Sequence, residues 1–176
     1  MNIITRIAPS PTGKVHIGTV RTALYNYLFA KKHKGTFIVR SEDTDKERSK
    51  KEFEDELLKT FAWLGLGHDE FYRQSERVDI YKEHVEKLIE SAHAYEAEPS
   101  TTTGRPVIRF KNPSTTLTFT DIILGDITVD TTDLGDFVIA RDKESPLYHL
   151  SVVVDDGLMG VTHVIRGQEH LANTSR

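Results

Sequence analysis

Arg6 to Leu28 reads RIAPSPTGKVHIGTVRTALYNYL, and its residue types suit the capture of an anion. Pro9, Ser10, Pro11, Thr12 and Gly13 separate an apolar run from an amphipathic one, so a turn is expected between a strand and a helix. The first amides of a helix lack partners and lie at the positive end of its dipole, which makes such a turn a ready phosphate site. Gly13 and Gly18 let a ligand approach the backbone closely. His16, at the helix mouth, can donate a hydrogen bond to a phosphate oxygen. The string lacks the Gly-Lys-Ser/Thr ending of a P-loop and is not the glycine pattern of a dinucleotide-binding turn.

Such a turn needs a scaffold. NIITRI predicts a buried strand rich in β-branched residues. Val20, Ala23, Leu24, Tyr27 and Leu28 recur at helical spacing, which predicts a helix from Gly18 to Lys34 stopped at Gly35 after a basic last turn. TFIVR gives a second strand. Strand, helix and strand make a βαβ unit with a parallel, right-handed crossover, hence an open α/β sheet. Ligands bind outside the carboxyl ends of such strands, so RIAPSPTG and RSEDTD are expected to face one crevice.

Two further helices are expected. KEFEDELLKTFAWLGLG carries Phe53, Leu57, Leu58, Phe61 and Leu64 on one face, and SERVDIYKEHVEKLIESAHAYEAE opens with Ser75 as its N-cap. PSTTTGRP (residues 99–106) reads as a loop. VIRFK, LTFTD, DITVD and DFVIARD read as short strands of a small β-rich insertion. THVIRG predicts a strand and QEHLANT a helix start, whereas LSVVVDDGLMG fits either helix or strand.

Composition narrows the function classes. Apolar residues make up 38% and charged residues 28% of the 176, as in an ordinary globular protein. No apolar run approaches the ~18 residues of a membrane span, and MNIITRIAPS lacks a signal-peptide pattern, so a cytoplasmic location is the expectation. With no cysteine, neither a disulfide nor a thiolate zinc site is expected. Net charge is −4, yet residues 1–41 hold seven Lys or Arg and no acid. A basic N-terminal lobe can serve phosphate groups within an acidic protein.

PSPTGKVHIGTVRTALYNYL resembles the first signature of the class I aminoacyl-tRNA synthetases, in the form typical of the glutamyl branch. The family's His-Ile-Gly-His appears as His16-Ile17-Gly18-Thr19. FIVRSEDTDKERS, WLGL, YRQSER, DFVIARD and PLYHLSVVVDDGLMGVTHVIRGQEH follow in the family's order over nearly the whole chain. The resemblance implies a Rossmann-like nucleotide-binding fold, its first half in residues 1–98, a shortened β-rich connecting insertion in 99–135 and a return to the catalytic domain in 136–176. It implies glutamate activation by ATP to glutamyl-adenylate and transfer to a tRNA, with Mg2+ accompanying the nucleotide and no zinc.

Carried over by residue, the resemblance assigns Arg6, Ala8, Pro9 and Ser10 to the glutamate pocket and Glu42 to the substrate ammonium. Tyr148 and Arg166 would read carboxylate oxygens. Pro11, Thr12, Gly13, His16, Gly18 and Thr19 would meet ATP, with His16 and Gly18 catalytic. The chemistry is coherent, since a dicarboxylate with one ammonium needs arginines, a hydroxyl and an acid. The residues alone leave alternatives: Arg6 paired with Glu42 or Asp43, and Asp155 and Asp156 as a plain turn or a weak metal pair.

The sequence also departs from the family. It contains no Lys-Met-Ser-Lys-Ser string, and EAEPSTTTGRP stands where the family usually has several dozen residues and often a zinc knuckle. RGQEH replaces the commoner RGEDH. The expectation is therefore the N-terminal catalytic half of a synthetase, monomeric as the full-length protein, with this chain prone to self-association. A tRNA-modifying glutamyl-queuosine synthetase is one alternative, although PSPSG and the cysteine site usual there are missing. A non-catalytic glutamate- or ATP-binding fragment is another.

Overall fold

Ile4–Ile7 (β1), Ile17–Lys32 (α1), Thr36–Ser41 (β2), Lys51–Trp63 (α2) and Glu70–Arg73 (β3) follow one another in the computed structural model, which describes residues 2–99 and 104–175. The strands form a parallel sheet in the order β1-β2-β3, built from two successive βαβ units. The expected α/β fold with a parallel sheet is what forms. Strand alternation sorts the residues by face. Ile7, Phe37 and Val39 are buried with Ala23, Ala30, Leu57 and Phe61, so α1 and α2 cover that face. Each large side chain buried there contributes roughly 1.5–3 kcal/mol. Arg6 is paired in register with Ile38, and Arg40 lies two residues farther along β2, so both arginines occupy the opposite face.

The turn after α1 fixes the start of β2. Lys34 adopts a left-handed conformation (φ 54°), and the amide of Gly35 returns to the carbonyl of Ala30 at 2.8 Å. Gly35 then passes so close to β1 that a Cβ would lie 2.1 Å from the Ile3 carbonyl oxygen. Only glycine fits.

The chain divides into two units, residues 1–77 with 155–168 and residues 78–154 with 169–176. The second holds Val78–Glu90 (α3), Ala94–Ala97 (β4), Val107–Phe110 (β5), Thr116–Asp121 (β6), Gly125–Asp130 (β7) and Phe137–Ala140 (β8). β4, β5 and β8 form an antiparallel sheet, and β6 and β7 a separate hairpin. Tyr81, Val85, Ile108, Ile139 and Leu150 are among its buried core residues. The division falls within Tyr148–Leu158 (α4), so LSVVVDDGLMG is mostly helix.

Three local expectations are corrected. Ser75 does not cap α3. Its amide and hydroxyl both donate to Asp43, which draws Gln74–Glu76 into a 3-10 turn and delays the helix to Val78. That helix ends at Glu90, and Ala94–Ala97 is a strand. THVIRG is irregular rather than a strand: the amides of Thr162 and His163 both go to the Ile4 carbonyl, and the Ile165 carbonyl accepts from the side chain of Asn26. QEHLANT lies in a 3-10 helix, Gln168–Ser175. Part of the PSTTTGRP loop, residues 100–103, lies outside the described residues.

Candidate active site

The two crossover turns of the parallel sheet are joined, as the expected shared crevice requires. The Glu42 amide donates to the Pro9 carbonyl at 2.9 Å, and the Lys50 amide to the Pro11 carbonyl at 3.0 Å. Arg6 and Pro11 are buried, Ala8 and Pro9 half-buried, and Ser10, Thr12 and Gly13 exposed. His16 is the N-cap residue of α1, in an extended conformation, and no side chain caps the helix. No acid lies in its first turn, so no first-turn carboxylate offsets the helix dipole. The His16 ring nitrogen Nε2 meets the Thr19 hydroxyl at 3.2 Å. The ring also lies over Gly18, where a Cβ would stand 3.0 Å from it.

Beneath this turn the face of the sheet opposite α1 and α2 carries a buried ionic cluster. Arg6 holds Asp156 through Nε (3.1 Å to Oδ1) and Nη2 (3.0 Å to Oδ2). Arg40, fully buried, donates from Nη1 to Asp156 Oδ1 at 2.7 Å and lies 3.5 Å from Asp155. Its Nη2 reaches Glu42 at 3.4 Å. Asp155 also accepts from Gln74 at 2.9 Å and from Arg77 at 2.8 Å. Arg6 is thus paired with Asp156, not with Glu42 or Asp43. Asp155 and Asp156 are matched by guanidinium groups.

Burial and neighbouring charges together shift Glu42 and Arg40. Glu42, whose side chain is 9% exposed, is pushed up to about 7 by burial, against the pull of Arg40 and Arg6. Its contact with Arg40 is long, and Asp155 and Asp156 already share that guanidinium. Burial alone would lower Arg40, but Asp156, Glu42 and Asp155 outweigh it and hold its pKa above the ordinary value.

Of the other expected residues, Arg166 is half-buried in the irregular stretch after α4, and the neighbouring Ile165 carbonyl is held by Asn26 at 2.9 Å. Tyr148 opens α4 in the second unit and is 42% exposed, its ring against His149. Arg40 escaped the sequence reading as a functional residue. The available signal was a charge at the end of the apolar strand TFIVR, together with an acidic pair ending VVVDDG.

The family described as tRNA synthetases class I (E and Q), catalytic domain, matches residues 2–103 and 97–176. The chain belongs to this family. Among curated relatives, the glutamate–tRNA ligase of Aquifex aeolicus is 47% identical over 209 aligned residues, covering 98% of this chain and 44% of the relative. That of Hydrogenobaculum is 44% identical, covering 98% and 45%. A glutamate tRNA ligase from Elizabethkingia meningosepticum, solved in complex with its amino acid, superimposes with a TM-score of 0.93 at 33% identity, covering 99% of this chain and 45% of that one. The chain spans a little under half the length of these synthetases. The aligned stretch of the Aquifex synthetase is longer than the chain, and the family match breaks into two segments around residues 97–103.

Proposed function

We propose that the chain carries the glutamate pocket and the first ATP signature of a glutamate–tRNA ligase. The observation that carries this reading is the arrangement of Arg6. Asp156 occupies the Nε–Nη2 edge of its guanidinium, and Nη1 makes no hydrogen bond to the described residues. A carboxylate fits that remaining edge. Glu42, tied to the same cluster through Arg40, supplies a negative charge for the substrate ammonium. Ala8, Pro9 and Ser10 line the pocket. Arg166 and Tyr148 are assigned to carboxylate oxygens on the family pattern alone.

ATP is placed at the mouth of α1, with Pro11, Thr12, Gly13, His16, Gly18 and Thr19 around it, and Mg2+ enters as part of the nucleotide substrate. A carboxylate oxygen of glutamate attacks the α-phosphorus, pyrophosphate departs, and the glutamyl group then passes from AMP to a tRNA 3′ end. Such a reaction is driven by positioning and charge stabilisation and needs no protein nucleophile. No helix among the described residues is long and apolar enough to cross a membrane.

Calorimetric titration with L-glutamate, ATP and a glutamyl-adenylate analogue tests the reading. The analogue is expected to bind most tightly of the three, since it fills both subsites. Absence of analogue binding to the folded protein overturns the assignment.

A further inference from the structure

Arg6 is the group most exposed to error in a glutamate pocket, because a guanidinium selects a carboxylate only when its plane is fixed. The side chain is long, and its position must be set by something other than substrate. Three features identify what sets it. Asp156 takes two donors of Arg6, the Nε–H and one Nη2–H, while Nη1 makes no hydrogen bond to the described residues. The same carboxylate receives Arg40 at 2.7 Å, and Arg40 in turn touches Glu42. Asp156 is itself held by its place in α4, one residue after Asp155, which Gln74, Arg77 and Arg40 all contact.

We propose that Asp156 is a positioning residue: it clamps one edge of Arg6 and, through Arg40, holds Glu42, so that a carboxylate-binding edge and an ammonium-binding carboxylate face the substrate in fixed register. The inference rests on the glutamate-pocket reading above. Asp156 need not touch the substrate. Its carboxylate engages both arginines and orients Arg6.

Charge alone and position predict opposite signs here. Removing a carboxylate leaves the pocket more positive, which by Coulomb attraction would tighten binding of a dicarboxylate. Losing the clamp misplaces Arg6, and weakening one charge-assisted hydrogen bond costs about tenfold or more in affinity. A merely structural role would lower the melting temperature and leave the affinity of the folded fraction unchanged.

The test is titration of the glutamyl-adenylate analogue and of L-glutamate into the unsubstituted protein, Asp156→Asn and Asp156→Glu, each with its thermal melt. Both variants are expected to lose about tenfold or more in affinity per folded molecule. Asp156→Glu keeps the charge and shifts it by one methylene, so it reports position with the ion pairs still available. Binding by folded Asp156→Asn that equals or exceeds that of the unsubstituted protein overturns the proposal. Should Asp156→Asn fail to fold, Asp156→Glu decides: near-normal affinity overturns the clamp, and weakened binding in a folded variant supports it. No analogue binding by the unsubstituted protein removes the pocket reading itself, and the clamp with it.

Discussion

Arg40 Nη1 lies 2.7 Å from Asp156 Oδ1 on the face of the sheet opposite α1 and α2, and the guanidinium has no exposure to water. A buried cation costs several kcal/mol in desolvation unless its partners are in place. Here three carboxylates surround it, and two further arginines balance the extra negative charge.

Truncating Arg40 should therefore be among the most destabilising changes in the first unit. Arg40→Met removes the cation and leaves Asp155 and Asp156 with fewer counter-charges in a buried setting. The expected loss is about 3–5 kcal/mol, the scale for breaking a buried pair from one side. Urea denaturation checks it, and a loss below about 1 kcal/mol would mean that the cluster is solvated.

That cluster also marks where the sequence stopped being legible. The βαβ order, the helix faces and the turn chemistry follow from local spacing, because apolar period and glycine placement are properties of short segments. The joining of Pro9 to Glu42 was foreseeable from parallel strands alone. The pairing of Arg6 with Asp156 was not, since it links positions 150 residues apart and depends on where α4 ends. THVIRG was misread for a related reason. Its β-branched residues suit a strand, but the Asn26 side chain, buried within α1, takes the Ile165 carbonyl that a strand neighbour would need.

The contact between His16 and Gly18 yields a second prediction. A methyl group at position 18 would stand 3.0 Å from the His16 ring, so Gly18→Ala should displace the ring while the helix persists. Alanine is the better helix former, by about 1 kcal/mol in a helix interior. Gly18→Ala should thus lower ATP affinity about tenfold with no fall in melting temperature. His16→Ala should weaken ATP binding comparably, because the ring is exposed and carries little packing. A variant that binds ATP normally would place the nucleotide elsewhere.

Gly35 is constrained by backbone rather than by ligand. The Ile3 carbonyl that a Cβ would strike also accepts the Thr36 amide at 2.8 Å, the bond that opens the β1–β2 ladder. Gly35→Ala must push the strands apart at their first pair. A loss of about 2–4 kcal/mol is expected, at or above the usual cost of overpacking. Denaturant melts of Gly35→Ala beside Gly13→Ala make the comparison, since a Cβ at Gly13 meets nothing within 4 Å. Equal stability of the two variants would contradict the close approach.

Glu42 links stability and binding to pH with opposite signs. Its carboxyl is raised from 4.5 to about 7, chiefly by burial. Between those values the folded protein holds a proton that the unfolded chain has released, so this group's contribution is complete below about 4.5 and lost as pH rises through about 7. At ~1.4 kcal/mol per unit the swing is on the order of 3 kcal/mol. Glu42→Gln removes the swing and should stabilise the folded protein at pH 8 relative to the unsubstituted chain, with little difference at pH 4.5. A substrate ammonium requires the ionised carboxylate. Glutamate affinity should therefore rise between pH 6 and pH 8, with net proton release on binding near pH 6.5, while Glu42→Gln binds weakly at every pH. Arg6, Arg40 and Asp156 are the charged groups that act on it. Denaturation and calorimetry at pH 5, 6.5 and 8 on both proteins measure the two effects together. If glutamate affinity is flat across that range while Glu42→Gln still gains stability at pH 8, then Glu42 is a buried acid without the ammonium role.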